Sequence, residues 1–128
     1  MADVASGVAE VVHETTELLL EAPNWAPGGD ALLVNGDGLL WSLDLTSSAL
    51  EQVPITGLPP INNDHVVDAP RGLVYLSAQD GHVYRAPTAG GAAVRVSSDP
   101  GFHHFLHGVS PDGTELAFVE IPRDWSAP

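Results

Sequence analysis

The chain has no cysteine and no lysine among its 128 residues. Without cysteine there is neither a disulfide framework nor a thiolate metal site. Four arginines face 17 acidic residues, for a net charge of −13. Nucleic-acid binding depends on cations that displace counterions from phosphate, so this field excludes it. Anionic membrane surfaces are disfavoured for the same reason. No apolar run approaches the ~20 residues that span a bilayer. The first residues carry no basic segment followed by a long apolar one, so no signal peptide is read there. A cytoplasmic protein is the default expectation. Also missing are the G-x-S-x-G elbow of serine hydrolases and the glycine-rich loops that cradle phosphate. No cofactor is expected.

What the chain does have is a recurring turn. Ser110-Pro111-Asp112-Gly113 precedes the apolar run Leu116-Ala117-Phe118-Val119, and Ala26-Pro27-Gly28-Gly29 precedes Leu32-Leu33-Val34. A degenerate copy, Val67-Asp68-Ala69-Pro70, precedes Leu73-Val74-Tyr75-Leu76. The landmarks Pro27, Asp68 and Pro111 lie 41 and 43 residues apart. A second set, Gly7, Ser48 and Gly91, keeps the same two spacings. A period of about 40 with one turn-plus-strand signal per unit suits the four-stranded blade of a propeller. The predicted fold is therefore all-β, a β-propeller of four-stranded antiparallel blades, with residues 1–128 forming a single three-repeat unit.

Within the first full unit the pattern predicts strands at 21–25, 31–35, 39–44 and 50–55. The next unit repeats them at 62–67, 73–78, 82–86 and 93–97. Asp80-Gly81 predicts a type I′ hairpin, because both residues tolerate positive φ. Runs such as 32–34 and 73–76 are apolar at consecutive positions, as in strands covered on both faces. Residues 16–21 (TELLLE) follow Thr15 and are a rival helix start, since leucine and glutamate favour helices.

The pattern W-x-P-x-G-x-x-L-x-x, with S-P-D-G in its best copy, resembles the WD40-like (PD40) repeat of TolB-type β-propellers. Glu21-Ala22-Pro23-Asn24-Trp25, Asn62-Asn63-Asp64-His65 and residues 106–113 resemble three successive blades of bacterial TolB-like proteins. The resemblance implies a six-bladed ring and a binding or scaffold role rather than catalysis. Gly28-Gly29 in place of Asp-Gly, and Val109 in place of tryptophan, depart from the pattern.

Three blades do not close a ring. Asp3-Val4 is in phase with Asp44-Leu45, and Trp125-Ser126 with Trp41-Ser42. The expectation is a homodimer that makes six blades, with the strand at 8–13 of one copy completing the blade begun at 105–119 of the other. The alternative is three blades of a longer propeller, such as one attached to a hydrolase.

Inner strands line a propeller's channel, and the repeat gathers Asn24, Asp64, His65 and His107 toward one mouth. These are the candidate binding residues, for a protein partner or another ligand. No metal is assigned, because H-E-x-x-H and comparable spacings are missing. Related pectin-degrading lyase propellers hold metal with histidines, and the resemblance thereby implies the alternative of a metal-dependent carbohydrate-active enzyme. His103-His104, between Phe102 and Phe105 in an expected loop, is a candidate pH-sensitive pair. Trp41 and Trp125, in one phase of the repeat, are read as packing between blades; Trp25 is the third tryptophan.

Overall fold

The computed structural model describes residues 1–98 and 100–125. β1 (Glu21–Trp25), β2 (Ala31–Gly36), β3 (Leu39–Asp44) and β4 (Leu50–Gln52) form one antiparallel four-stranded sheet in sequence order. After a two-residue strand, β5 (Ile55–Thr56), the second sheet is built from β6 (Ile61–Asp68), β7 (Leu73–Ala78) and β8 (Val83–Pro87). Its outer edge is β10 (Val94–Arg95), while β9 (Gly91–Ala92) pairs in parallel with β5 and ties the first sheet to the second. The third sheet, among the described residues, is the antiparallel pair β11 (Phe102–Val109) and β12 (Leu116–Pro122).

The repeating turn has one geometry throughout. The carbonyls of Ala26, Ala69 and Ser110 accept from the N–H of Gly29, Gly72 and Gly113 at 3.0, 3.1 and 2.8 Å. All three glycines are left-handed, with φ of 75°, 63° and 69°, a conformation that a side chain disfavours. Pro27, Pro70 and Pro111 share the second place, where a fixed φ suits the turn. The landmark in the degenerate copy is therefore Pro70 and not Asp68. That copy looks degenerate because Arg71 replaces the small residue before glycine.

Two apolar seams hold the sheets together. Leu33, Leu40 and Val53 of the first meet Val74, Leu76 and Ala86 of the second, with Ile61 between them. Tyr75 and Val83 of the second meet Leu106 of the third, flanked by Val66, Leu73, Val109 and Leu116. Strand pleating sends alternate residues to opposite faces, so β7 supplies Val74 and Leu76 to one seam and Tyr75 to the other. Each fully buried leucine or valine contributes about 1.5–3 kcal/mol.

β1, β3 and β7 lie at their predicted bounds, and β2, β6 and β8 within one residue of theirs. The outer strands are shorter than expected. Pro54 lacks the N–H needed to continue the ladder, so the strand predicted to run to 55 stops at Gln52, and Ile55 pairs in another sheet. The segment at 93–97 narrows to Val94–Arg95. At Asp80-Gly81 only the glycine has positive φ, 87°; the type I′ pair is Asp37-Gly38, at 52° and 74°. Residues 16–21 form no helix, and their last residue opens β1. Residues 8–13 form no strand in this chain, and Ala9 makes an isolated bridge to Ala2. His103 and His104 belong to β11 rather than to a loop. Ser126, expected in phase with Ser42, lies outside the described residues.

The turn before residues 8–13 nevertheless matches a blade turn. In Asp3–Val8, Asp3 Oδ1 accepts from the Ser6 N–H and Oγ at 2.6 Å each, and the Gly7 N–H reaches the Asp3 carbonyl at 2.8 Å. In Asp44–Ala49, Asp44 Oδ1 accepts from the Ser47 N–H and Oγ at 2.7 and 2.9 Å, and the Ser48 N–H reaches the Asp44 carbonyl at 2.9 Å. Those serine bonds hold both carboxyls below the usual range. The N-terminal arm thus carries the connection that joins a third strand to a fourth.

Candidate functional site

Asn24 and His65 meet across the first seam. Asn24 Nδ2 donates to the His65 carbonyl at 3.1 Å and to the Ala22 carbonyl at 3.3 Å. The His65 ring is buried, and its Nε2–H donates to the Leu33 carbonyl at 3.3 Å, since a carbonyl only accepts. His65 Nδ1 is enclosed without a hydrogen-bond partner. Burial pushes this imidazole below its usual range, against smaller opposing effects from the Leu33 carbonyl and the Asp64 charge. The ring is therefore neutral at pH 7 and bridges two sheets.

Asp64 and His107 come together elsewhere. With Asn63, Phe105, Val119 and Ile121 they line a shallow open hollow of about 390 Å³. The Asn62 side chain accepts from the Asp64 N–H at 2.8 Å and donates to Asp64 Oδ2 at 3.2 Å, which sets the carboxylate's direction. His107 sits where the β11–β12 register slips between Leu106 and Gly108. All three inner strands slip in register, β1 between Glu21 and Asn24, β6 between Ile61 and His65 and β11 at His107, so the equivalence read from spacing does not carry over to pairing. Asn24 pairs with Leu33 and His65 with Leu76. Leu33 and Leu76 face one seam from opposite sheets, so Asn24 and His65 do not hold the same place in their blades. Among the described residues, no three His, Asp or Glu side chains group as metal ligands do.

The pair His103-His104 splits by pleating. His104 is buried, stacks on His82 at 5.8 Å, and bonds the Gly81 carbonyl through Nδ1 at 2.7 Å. Its Nε2 lies 3.2 Å from Glu120 Oε1. His103 points the other way and stacks on Trp125 at 5.8 Å. Trp41 pairs with Val34 on the outer face of the first sheet, its indole N–H held by the Gly36 carbonyl at 3.0 Å. Trp125 is 65% exposed, which corrects the inter-blade role expected for it.

The largest features are the two end faces of the stack, the apolar faces expected of a three-blade arc. Leu32, Val34, Leu43 and Trp25 form the outer face of the first sheet and line an apolar hollow of about 350 Å³ with Met1, Val12, His13 and Leu20. On the third sheet Leu106 and Leu116 turn toward the second, so the alternate residues Phe105, Val119 and Ile121 form its outer face. Sequence reasoning missed Arg71: it binds Asp68 through two 3.1 Å bonds and donates to the Asp112 carbonyl, locking the second turn onto the third. The end faces had a readable signal, since both seam-forming and outer positions of these strands are apolar.

Stacked antiparallel sheets, joined by one repeating turn and carrying polar groups on their inner strands, define an all-β fold of the kind seen in part of a TolB-like β-propeller. The comparisons agree. A solved structure described as a "putative TolB" from Agrobacterium tumefaciens is 34% identical, with a TM-score of 0.73 over 86% of this chain and 40% of that one. The uncharacterised protein Atu1656 of Agrobacterium fabrum is 35% identical over 117 residues, 87% of this chain and 39% of the relative. The chain thus spans about two fifths of the length of each. No family model matches it. Neither relative is described as an enzyme.

Proposed function

We propose that the chain is a non-enzymatic propeller scaffold that self-associates to close a ring, as a homodimer of two three-blade units. One observation carries this reading: the stack ends in two different apolar faces, each of the kind that an internal seam covers. Val34 and Leu43 on one end correspond in character to Val74, Leu76 and Ala86, which the preceding sheet covers. Phe105, Val119 and Ile121 on the other end offer what Leu33 and Tyr75 offer inside the stack. Unlike faces that fit head to tail give a ring when the rotation closes, and two copies bring six blades together. Exposed apolar faces of this kind mark association surfaces.

In the same reading, the inner rim around Asp64 and His107, with Asn24 and His65 behind it, is the surface for a protein partner. Its polar groups are arranged for hydrogen bonding, and the Asp64 carboxylate keeps solvent access in an open hollow. The strongly acidic chain favours a basic partner segment. Light scattering tests the assembly: a mass of two chains is expected, and a strict monomer at the 13.4 kDa chain mass overturns it.

A further inference from the structure

We infer that the N-terminal arm, residues 1–20, is a displaceable cap on the outer face of the first sheet, and that the third sheet of a second copy takes its place. This rests on the ring reading above and adds a competitor to it.

The arm occupies the face that a neighbouring sheet needs. Leu18 lies so close to Gly36 that a Cβ there would sit 2.9 Å from Leu18 Cγ. Met1, Val12, His13 and Leu20 lie over Leu32, Val34, Leu43 and Trp25. The Ser48 hydroxyl ties the arm down by donating to the Val12 carbonyl at 3.1 Å. Because of this cover Val34 and Leu43 are each only 4% exposed.

The cover fits poorly. A hollow of about 350 Å³ remains beneath it, against about 150 Å³ between the second and third sheets beside Val83, His104 and Leu116. His13 Nε2 is enclosed there without a hydrogen-bond partner, a desolvation cost with nothing in return. The arm also leaves Val4, Val8, Val11 and Leu19 largely exposed, so it gains little by lying down. A strand face carrying Phe105, Val119 and Ile121 has the shape and apolarity to fill the hollow, as Leu33 and Tyr75 do in the internal seams. Displacing the arm returns the unpartnered His13 Nε2 to solvent. Better packing and the return of His13 to solvent favour the exchange, and the arm sets its rate.

The absence of native cysteine makes a reversible test available. In the full chain, Val12→Cys with Ser48→Cys places one possible disulfide where the arm is tied down. Light scattering of the oxidised protein is expected to show a monomer, and reduction is expected to restore the dimer. Equal dimer content in both states overturns the cap and leaves the ring standing. Absence of a dimer in both states and in the unmodified chain overturns the ring and the cap together. Leu18→Ala, which weakens the contact with Gly36 without requiring a disulfide, is expected to raise the association rate about tenfold, chiefly by freeing the face. An unchanged rate overturns the cap.

Discussion

The two ends of the stack are built from the same kind of strand and meet opposite fates. On the first sheet Val34 is 4% exposed under the arm; on the third, Val119 is 47% exposed. Neither end differs from the interior in composition, because every second strand of the repeat is apolar on consecutive positions. The difference lies in what covers each face. An internal seam has a sheet on both sides. The first end has a loosely fitted arm, and the third has nothing described over it. Burial in a repeat architecture is thus a property of the neighbour as much as of the residue.

The comparison breaks most visibly in the interior. Leu76→Ala removes a fully enclosed side chain from the first seam and is expected to cost about 3 kcal/mol of stability, measured by urea unfolding. A loss below about 1 kcal/mol would mean that the seam is not the packed core described. The bare end should behave in the opposite way. Val119→Asp is expected to change monomer stability by less than about 0.5 kcal/mol, because the residue is exposed. Its effect should appear in association instead, weakening the dimer by about 100-fold through an unpaired charge in a buried face. Sedimentation equilibrium of the variant against the parent reads this directly, and equal affinities would place the interface elsewhere.

His65 sharpens the contrast between the two seams. In the folded chain burial holds its imidazole below the usual range, while the unfolded chain titrates near about 6.5. Below that pH the unfolded state takes up the proton first, so the stabilisation present above about 6.5 declines as pH falls toward the folded value. Thermal unfolding at pH 7.5 and 5.5 should show a drop in Tm that His65→Gln reduces. A drop of equal size in the variant would assign the acid sensitivity to another group.

The inner and middle strands of the first two sheets were legible because turn chemistry and apolar runs agree there. The turn itself was legible in three copies, though Arg71 disguised the second. What spacing did not convey is register. One extra residue, at His107 in β11, rotates side chains to the other face without disturbing the period, and two extra residues between Ile61 and His65 shift β6 along its partner. Asn24, Asp64, His65 and His107, expected together at one channel mouth, lie on inner strands as two pairs: Asn24 with His65 across a seam, and Asp64 with His107 in an open hollow. The arm was illegible for a different reason. Its sequence encodes a blade turn and a fourth strand, and which sheet accepts that strand depends on tertiary competition.

The smallest effect lies at the turns that link both ends. Asp112, in the third turn, accepts hydrogen bonds from Ser110 Oγ at 2.6 Å and from the Thr114 N–H and Oγ1 at 3.1 and 2.8 Å. Those bonds, the Ser110 hydroxyl first, lower its carboxyl to about 2. The corresponding place in the first turn is Gly28, which has no carboxyl to titrate. A depressed folded pKa stabilises the turn fully above the unfolded value near about 3.9, and that contribution disappears as pH falls through about 2. The carboxyl carbon of Asp112, followed by NMR, should titrate with a midpoint near about 2, and Thr114→Val should move it up toward the ordinary range. A midpoint that stays put in the variant would leave Ser110 as the group that fixes the turn.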